Sequence, residues 1–161
     1  MVETSEATTI VQVLENVLSL SDIKHDEGLA IHGFLQVGAA LNLLHNVMGI
    51  PHLGINSDNI VVAPDHVLDD PVFKLTGIFP EYVFAKAGRN QQLLRFFPPE
   101  VLRKQTLSIE DQMRGDSWSL AMLLFETDTQ AQLFTAKSIR QLQREHELMS
   151  LKLIEHDTFD T

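Results

Sequence analysis

The chain contains no cysteine, only one tryptophan and only one tyrosine. Without cysteine it can form neither a disulfide nor a thiolate metal site, and it has no cysteine nucleophile. It also lacks an apolar run of about 18 residues, and its first residues carry neither the basic nor the apolar segment of a secretory signal. We therefore expect a soluble cytoplasmic protein with no membrane partner.

Basic residues are also few. The 161 residues include 12 Lys and Arg against 22 Asp and Glu, which gives a formal net charge of -10. This charge disfavours nucleic acid as a partner and suits a protein partner with a basic segment, although solubility alone also explains an acidic surface. The length and the 44% hydrophobic content favour a globular protein with a core of its own.

Two helices are predicted in the first third of the chain. Apolar residues at helical spacing predict one over residues 6–18, and the polar stretch 19–28 is then expected to be a loop. Apolar residues cover more than half the circumference of a longer helix predicted over 29–47, which indicates burial on several sides. Gly49 is expected to end this helix in a left-handed conformation, and Pro51 prevents its continuation.

A short β-hairpin is predicted next, with strands over residues 59–63 and 72–75. The connecting residues 64–71 include four side chains that can ligate metals, namely Asp65, His66, Asp69 and Asp70. Clusters of Asp and Pro are, however, ordinary in turns, so no metal site is expected there.

Two motifs flank this hairpin. Residues 52–59, HLGINSDN, resemble in outline the catalytic loop of protein kinases, H-R-D-L-x-x-x-N. His52 and Asn59 match the family's His and its magnesium-binding Asn, whereas Gly54 stands where the family has the proton-accepting Asp. Residues 74–79, KLTGIF, are similar to the family's KLTDFG, with Gly77 in place of the magnesium-binding Asp.

A third motif, PPEVL at residues 98–102, resembles the family's APEVL. The resemblance implies that Glu100 is a structural acid, paired with an arginine far downstream. The alternative is a proline that opens a short helix, with Glu100 near the positive end of the helix dipole. Both interpretations predict the same short helix.

A fourth motif, GDSWSLAMLLFE at residues 115–126, is similar to the family's SDVWSLGVLLYE. The resemblance implies that Asp116 is a buried acid that accepts hydrogen bonds from backbone N–H groups near His52 and Leu53, and that Trp118 packs in the core. Taken alone, Asp116 would be interpreted as a helix N-cap.

The four motifs imply a mainly α, protein kinase C-lobe-like helical domain with a small β-hairpin over residues 1–128. Nothing before Leu29 resembles the family's N-terminal lobe, which holds the nucleotide phosphates. A C-terminal lobe that stands without an N-terminal lobe is similar in extent to the non-catalytic KIND module. Residues 129–161 are predicted to add an amphipathic helix over 129–154, with Leu133 and Leu142 on its apolar face, followed by a tail. The helix is expected to pack either on its own domain or on a partner.

The replacement of both carboxylates predicts that the protein is not an enzyme, because electrostatic stabilisation supplies most of the rate of phosphoryl transfer. We therefore expect a pseudokinase C-lobe that serves as a protein-interaction or scaffold subunit, without a cofactor. The alternative is a nucleotide-sensing regulatory subunit completed by another chain. The candidate partner contacts are Phe84, Phe96, Phe97, Leu142 and Met149, with buried packing as the alternative for the phenylalanines.

Overall fold

The computed structural model of the protein describes residues 18–19, 27–64, 71–77, 94–102 and 107–157. Several predictions lie outside the described residues: residues 6–17 of the first predicted helix, the connecting residues Asp65, His66, Asp69 and Asp70, residues 78 and 79 of the KLTGIF motif, and the candidate contact Phe84.

The described chain is mainly helical and carries one small antiparallel sheet, as the sequence predicts. The α-helices are α1 (Glu27–Leu43), α2 (Pro99–Leu102), α3 (Ile109–Thr129) and α4 (Ile139–Asp157). α1 continues into a single π-helical turn (Leu44–Met48), and a 3-10 turn (Ser57–Asn59) precedes the second strand. The strands are β1 (Leu18–Ser19), β2 (Ile60–Pro64) and β3 (Pro71–Leu75), in the order β1-β2-β3. None of the described helices is both long and apolar enough to cross a lipid bilayer.

The first long helix matches its prediction at the C-terminal end. Gly49 has φ 69, and its N–H bonds to the carbonyl of Leu44, so the chain leaves the helix through a left-handed cap. The predicted boundaries at the other end are wrong. Leu18 and Ser19 pair with Val62 and Val61 as a strand, and α1 already begins at Glu27. A strand of two residues is too short to show the alternation of apolar and polar residues by which strands are recognised, so its pairing with β2 was not predictable.

The sheet packs on α1 through β3. Phe73 lies over Gly33 so closely that a Cβ at residue 33 would come 2.5 Å from the Phe73 ring, which explains a glycine at this helical position. The side chain of Gln36 bonds to the outer edge of β3. Its Oε1 accepts from the Phe73 N–H at 2.9 Å, and its Nε2 donates to the Pro71 carbonyl at 3.2 Å.

The second long helix, α3, begins at Ile109, ahead of the motif at 115–126. Ser108 is its N-cap, and the Ser108 hydroxyl accepts a hydrogen bond from the Asp111 N–H at 3.1 Å. Asp116 therefore lies inside the helix, and its interpretation as an N-cap is wrong. The short helix expected at the PPEVL motif is present as α2.

The C-terminal helix begins later than predicted. Gln130 ends α3 with φ 54, the chain is not helical up to Ser138, and α4 then begins at Ile139. Leu133, assigned from the sequence to the apolar helix face, is therefore outside the helix and exposed. Leu142 is fully buried in the same core cluster as residues of α1 and α3, so α4 packs on its own chain.

Candidate functional site

The loop between α1 and β2 is organised by His52, which is fully buried. Its Nε2 lies 2.9 Å from the Thr76 carbonyl, and its Nδ1 lies 3.1 Å from the Gly54 backbone nitrogen. A carbonyl oxygen only accepts and a backbone N–H only donates, so Nε2 carries the proton and Nδ1 is the acceptor. Both ring nitrogens are thus engaged by backbone groups, and neither is free for proton transfer to a substrate.

Burial lowers the pKa of the His52 imidazole, because the charged form would lose its hydration. The negative charge of Asp116 and the bond to the Thr76 carbonyl oppose this effect, and His45 adds to it. Since the net direction is downward from 6.5, His52 is neutral at pH 7. A neutral ring fits its hydrogen bonds, because a second proton on Nδ1 would point at the Gly54 N–H.

Asp116 projects from the interior of α3 into the same loop and is fully buried. Its carboxylate accepts hydrogen bonds from the backbone N–H of His52 at 2.7 Å and of Leu53 at 2.6 Å. This is the contact that the kinase resemblance implied. Leu53 has φ 59, a left-handed conformation that is uncommon for a residue other than glycine.

The sequence did not point to a third partner of Asp116. His45, on the π-helical turn, places its Nε2 2.8 Å from the Asp116 carboxylate. His45 is one of seven histidines scattered along the chain, and 71 residues separate it from Asp116. No spacing in the sequence marks such a contact, so only the fold identifies it.

Gly54, which the motif resemblance aligns with the catalytic Asp of kinases, is bound through its backbone. The Gly54 carbonyl accepts from Asn56 Nδ2 at 2.9 Å and from Asn59 Nδ2 at 2.7 Å. The Asn56 side chain also accepts from the Asp58 N–H through Oδ1, and the backbone carbonyl of Asn59 accepts from the Thr76 N–H. Both asparagines therefore stabilise the loop.

Gly77, which the motif resemblance aligns with the magnesium-binding Asp of kinases, faces Asn59. Gly77 has φ 78, and a Cβ added there would lie 3.0 Å from Asn59 Oδ1. The structure thus brings together Gly54, Asn59 and Gly77, with the Asn59 side chain between the two glycines. Within the described ranges, no group of three or more His, Asp or Glu side chains is arranged to hold a metal ion.

Among the described residues, Glu100 of the third motif forms no ion pair of the kind that the resemblance implied. Glu100 is exposed in the first turn of α2, and the salt bridges of the described residues do not include it. Its position suits the alternative of an acid near the positive end of a helix. A half-buried pair between Arg95 and Glu126 instead connects the segment before α2 to α3, at 2.7 Å.

Trp118 lies at the junction of α3 and α4 and packs against the core. Its ring is stacked 6.4 Å from that of Phe134 and meets the His146 ring edge-on at 5.4 Å. Such aromatic packing contributes beyond the area that it buries. It connects α3, the chain before α4, and α4 itself.

The four candidate partner contacts that lie within the described residues do not share one surface. Phe96 and Leu142 are buried in the core, and Phe97 and Met149 pack against it while remaining partly accessible. A contact through Phe96 or Leu142 would require the core to open. Buried packing is therefore the arrangement that the structure gives to Phe96.

No model of a known protein family matches the chain, and no curated protein matches it.

Proposed function

We propose that the protein is a catalytically inactive pseudokinase C-lobe that serves as a protein-interaction or scaffold subunit of a larger assembly. The observation that carries this proposal is the contact of Asn59 with both Gly54 and Gly77. Phosphoryl transfer by a protein kinase uses one carboxylate beside the attacking hydroxyl and another on the metal ion. This chain has glycine at both positions, and the side chain of Asn59 lies between them.

The kinase-like part of the proposal is supported by Asp116. The resemblance implied a buried acid bonded to the backbone of the loop at His52 and Leu53, and these bonds are present. The simpler interpretation of the same residue as a helix cap is excluded by its position inside α3. This agreement supports a loop that has the arrangement of a kinase catalytic loop but has a structural role only.

The partner that we propose is a protein with a basic segment. The net charge of -10 favours such a partner through long-range attraction, which weakens as salt is added. Affinity capture of the tagged protein from its native cells, at low and at moderate salt, tests this. We expect a stoichiometric protein partner that is lost at the higher salt concentration. Recovery of the chain with no other protein contradicts the scaffold role.

A phosphotransfer assay tests the absence of catalysis. Wild-type protein and the Asn59→Ala variant are incubated with ATP and either magnesium or manganese, and transfer to a general protein substrate is measured. We expect no turnover above background in either sample. Turnover in the wild type that Asn59→Ala abolishes would overturn the proposal, because Asn59 is the residue that matches the family's metal-binding Asn.

Thermal unfolding with and without ATP and magnesium separates the nucleotide-sensing alternative. A ligand that binds only the folded state raises the melting temperature by mass action. We expect no change. A rise that depends on ATP concentration would favour a nucleotide-sensing subunit over a scaffold.

A further inference from the structure

The outer face of α1 and its π-helical turn carries a continuous apolar row. Four large side chains, spaced four or eight residues apart, are between 53% and 73% exposed: Ile31, Leu35, Leu43 and Val47. The exposed Ala39 lies at the centre of the row. The opposite side of the helix is buried through Val37 and Leu41. Single exposed apolar residues are normal, but a contiguous row of this length marks an interaction surface.

The row is symmetric about Ala39. Leu35 and Leu43 lie four residues to either side, and the β-branched Ile31 and Val47 lie eight residues to either side. The row therefore presents the same order of side-chain shapes in both directions. A two-fold axis at Ala39 would place Leu35 against Leu43 of a second copy and Ile31 against its Val47. Such self-complementarity is what a two-fold dimer interface requires.

The geometry of the row also suits this pairing. Residues at intervals of four form one ridge on the surface of a helix. The helices approach most closely at the crossing point, where Ala39 offers a small side chain. With a rise of 1.5 Å per residue, the row from Ile31 to Val47 extends over about 24 Å.

The distribution of charge favours a second copy over a charged partner. No Asp, Glu, Lys or Arg occurs between Glu27 and Asp58, although the chain has a net charge of -10. This stretch therefore brings no like charges together when two copies meet, and it offers no carboxylate to a basic segment. Uncharged polar pairs flank the row, with His32 bonded to Gln36 and Asn42 bonded to Asn46, each at 2.6 Å. They form the polar rim that surrounds an apolar interface.

We propose that the protein self-associates through this face, with two copies of α1 crossing antiparallel about a two-fold axis at Ala39. The inference does not depend on the proposed scaffold function. One helical face is smaller than the roughly 800 Å² per partner of a standard interface. The dimer is therefore reversible, and its population rises with protein concentration.

Sedimentation velocity of the full chain over a range of concentrations tests the proposal. We expect the average mass to rise from 18.1 kDa toward twice that value as the concentration increases. A mass that stays at 18.1 kDa at the highest concentration overturns the proposal and leaves the face for a different protein.

A pair of charge variants tests the antiparallel register. Leu35→Lys and Leu43→Glu each bury a charge against leucine in a homodimer, so each variant should remain monomeric where the wild type is dimeric. In an equimolar mixture the introduced lysine meets the introduced glutamate, and the dimer should return. Leu124→Lys, at an exposed position on α3 outside the row, is the control and should dimerise as the wild type does. Undisturbed dimers in the single variants, or no recovery in the mixture, would exclude this interface.

A disulfide variant provides a second measurement that does not require a disruptive charge. The chain has no native cysteine, so Ala39→Cys introduces a single thiol that lies at the two-fold axis. Mild oxidation should cross-link this variant into a dimer, because a disulfide requires Cα atoms about 4.4–6.8 Å apart. Ser117→Cys, exposed on α3, should stay monomeric under the same conditions. Equal cross-linking of both variants contradicts the proposed axis.

Discussion

The carboxylate of Asp116 lies 2.6 Å from the backbone nitrogen of Leu53, a residue held at φ 59. A left-handed conformation costs a residue with a Cβ about 1–2 kcal/mol. The hydrogen bond to a buried carboxylate offsets this cost and directs the Leu53 N–H toward α3. The shape of the loop therefore depends on a helix that begins some fifty residues downstream in the sequence.

Replacement of Asp116 should destabilise the protein strongly. Asp116→Ala leaves the N–H groups of His52 and Leu53 without their acceptor, and we expect a loss of about 3–5 kcal/mol in the free energy of unfolding. Urea unfolding measures this loss. Asp128→Ala, at an exposed position of the same helix, is the control and should change stability by less than about 0.5 kcal/mol. Equal effects of the two substitutions would refute a structural role for Asp116.

Substitutions at Leu53 should show an inverted order of glycine and alanine. At ordinary helix or strand positions glycine is the less stable of the two, whereas at φ 59 glycine avoids the steric penalty that alanine retains. We expect Leu53→Gly to be more stable than Leu53→Ala by about 1 kcal/mol. Both variants lose the leucine side chain beyond Cβ, so their comparison in urea isolates the backbone. The usual order would contradict a strained residue 53.

The close approach of Gly77 to Asn59 predicts a coupling between them. Gly77→Ala should destabilise by about 1–3 kcal/mol, because the new Cβ lies 3.0 Å from Asn59 Oδ1 in a backbone conformation that favours glycine. Asn59→Ala removes the opposing side chain, so the double variant should lose less stability than the sum of the two single losses. A double-mutant cycle by urea unfolding measures the difference, and strict additivity would show that the two residues do not meet.

Much of the fold is predictable from local features of the sequence. The long α1 follows from its apolar spacing with Gly49 and Pro51 after it, and the hairpin follows from two apolar runs. The start of α4 was missed, although Ser138 and Gln141 have the spacing of a capping box and the Ser138 hydroxyl accepts from the Gln141 N–H. Apolar residues between 129 and 138 continued the helical spacing and concealed this signal.

The candidate site was less predictable, because its contacts join residues far apart in the chain. The bond from Asp116 to residues 52 and 53 was expected only through the resemblance of two motifs to known ones. His45 has no motif, and the pair of Arg95 with Glu126 has no helical spacing. Such contacts form only when α1, α3 and the loops pack together, so local sequence patterns do not predict them.

The position of Leu142 in the core predicts that α4 is required for folding. Leu142→Ala should cost about 2–5 kcal/mol, because the side chain is fully buried. Leu148→Ala is the matched control on the same helix, where the leucine is exposed, and should be nearly neutral. Urea unfolding followed by the fluorescence of the single tryptophan, Trp118, at the α3–α4 junction reports both. A neutral Leu142→Ala would favour a helix that docks elsewhere.

The lowered pKa of His52 predicts a loss of stability in acid. As the pH falls through 6.5, the unfolded chain takes up a proton on His52, whereas the buried ring takes it up only at a lower pH. The contribution of His52 is therefore present above pH 6.5 and is lost between that value and its lowered folded pKa. The free energy of unfolding is measured at several pH values above and below 6.5. As the pH falls, it should decrease less steeply in His52→Gln than in the wild type, because glutamine keeps a donor and an acceptor but does not titrate. Identical slopes would contradict the buried neutral ring.

The bonds from Gln36 to Phe73 and Pro71 determine what can happen at the side of the sheet. β3 is an outer strand of the described sheet, and an outer strand offers free backbone groups on which a further strand, from any chain, can add. The Gln36 amide donates from Nε2 to the Pro71 carbonyl and accepts at Oε1 from the Phe73 N–H, so it occupies two backbone groups that an added strand would use. At these two backbone groups, an uncharged side chain from α1 blocks sheet extension and strand-mediated aggregation.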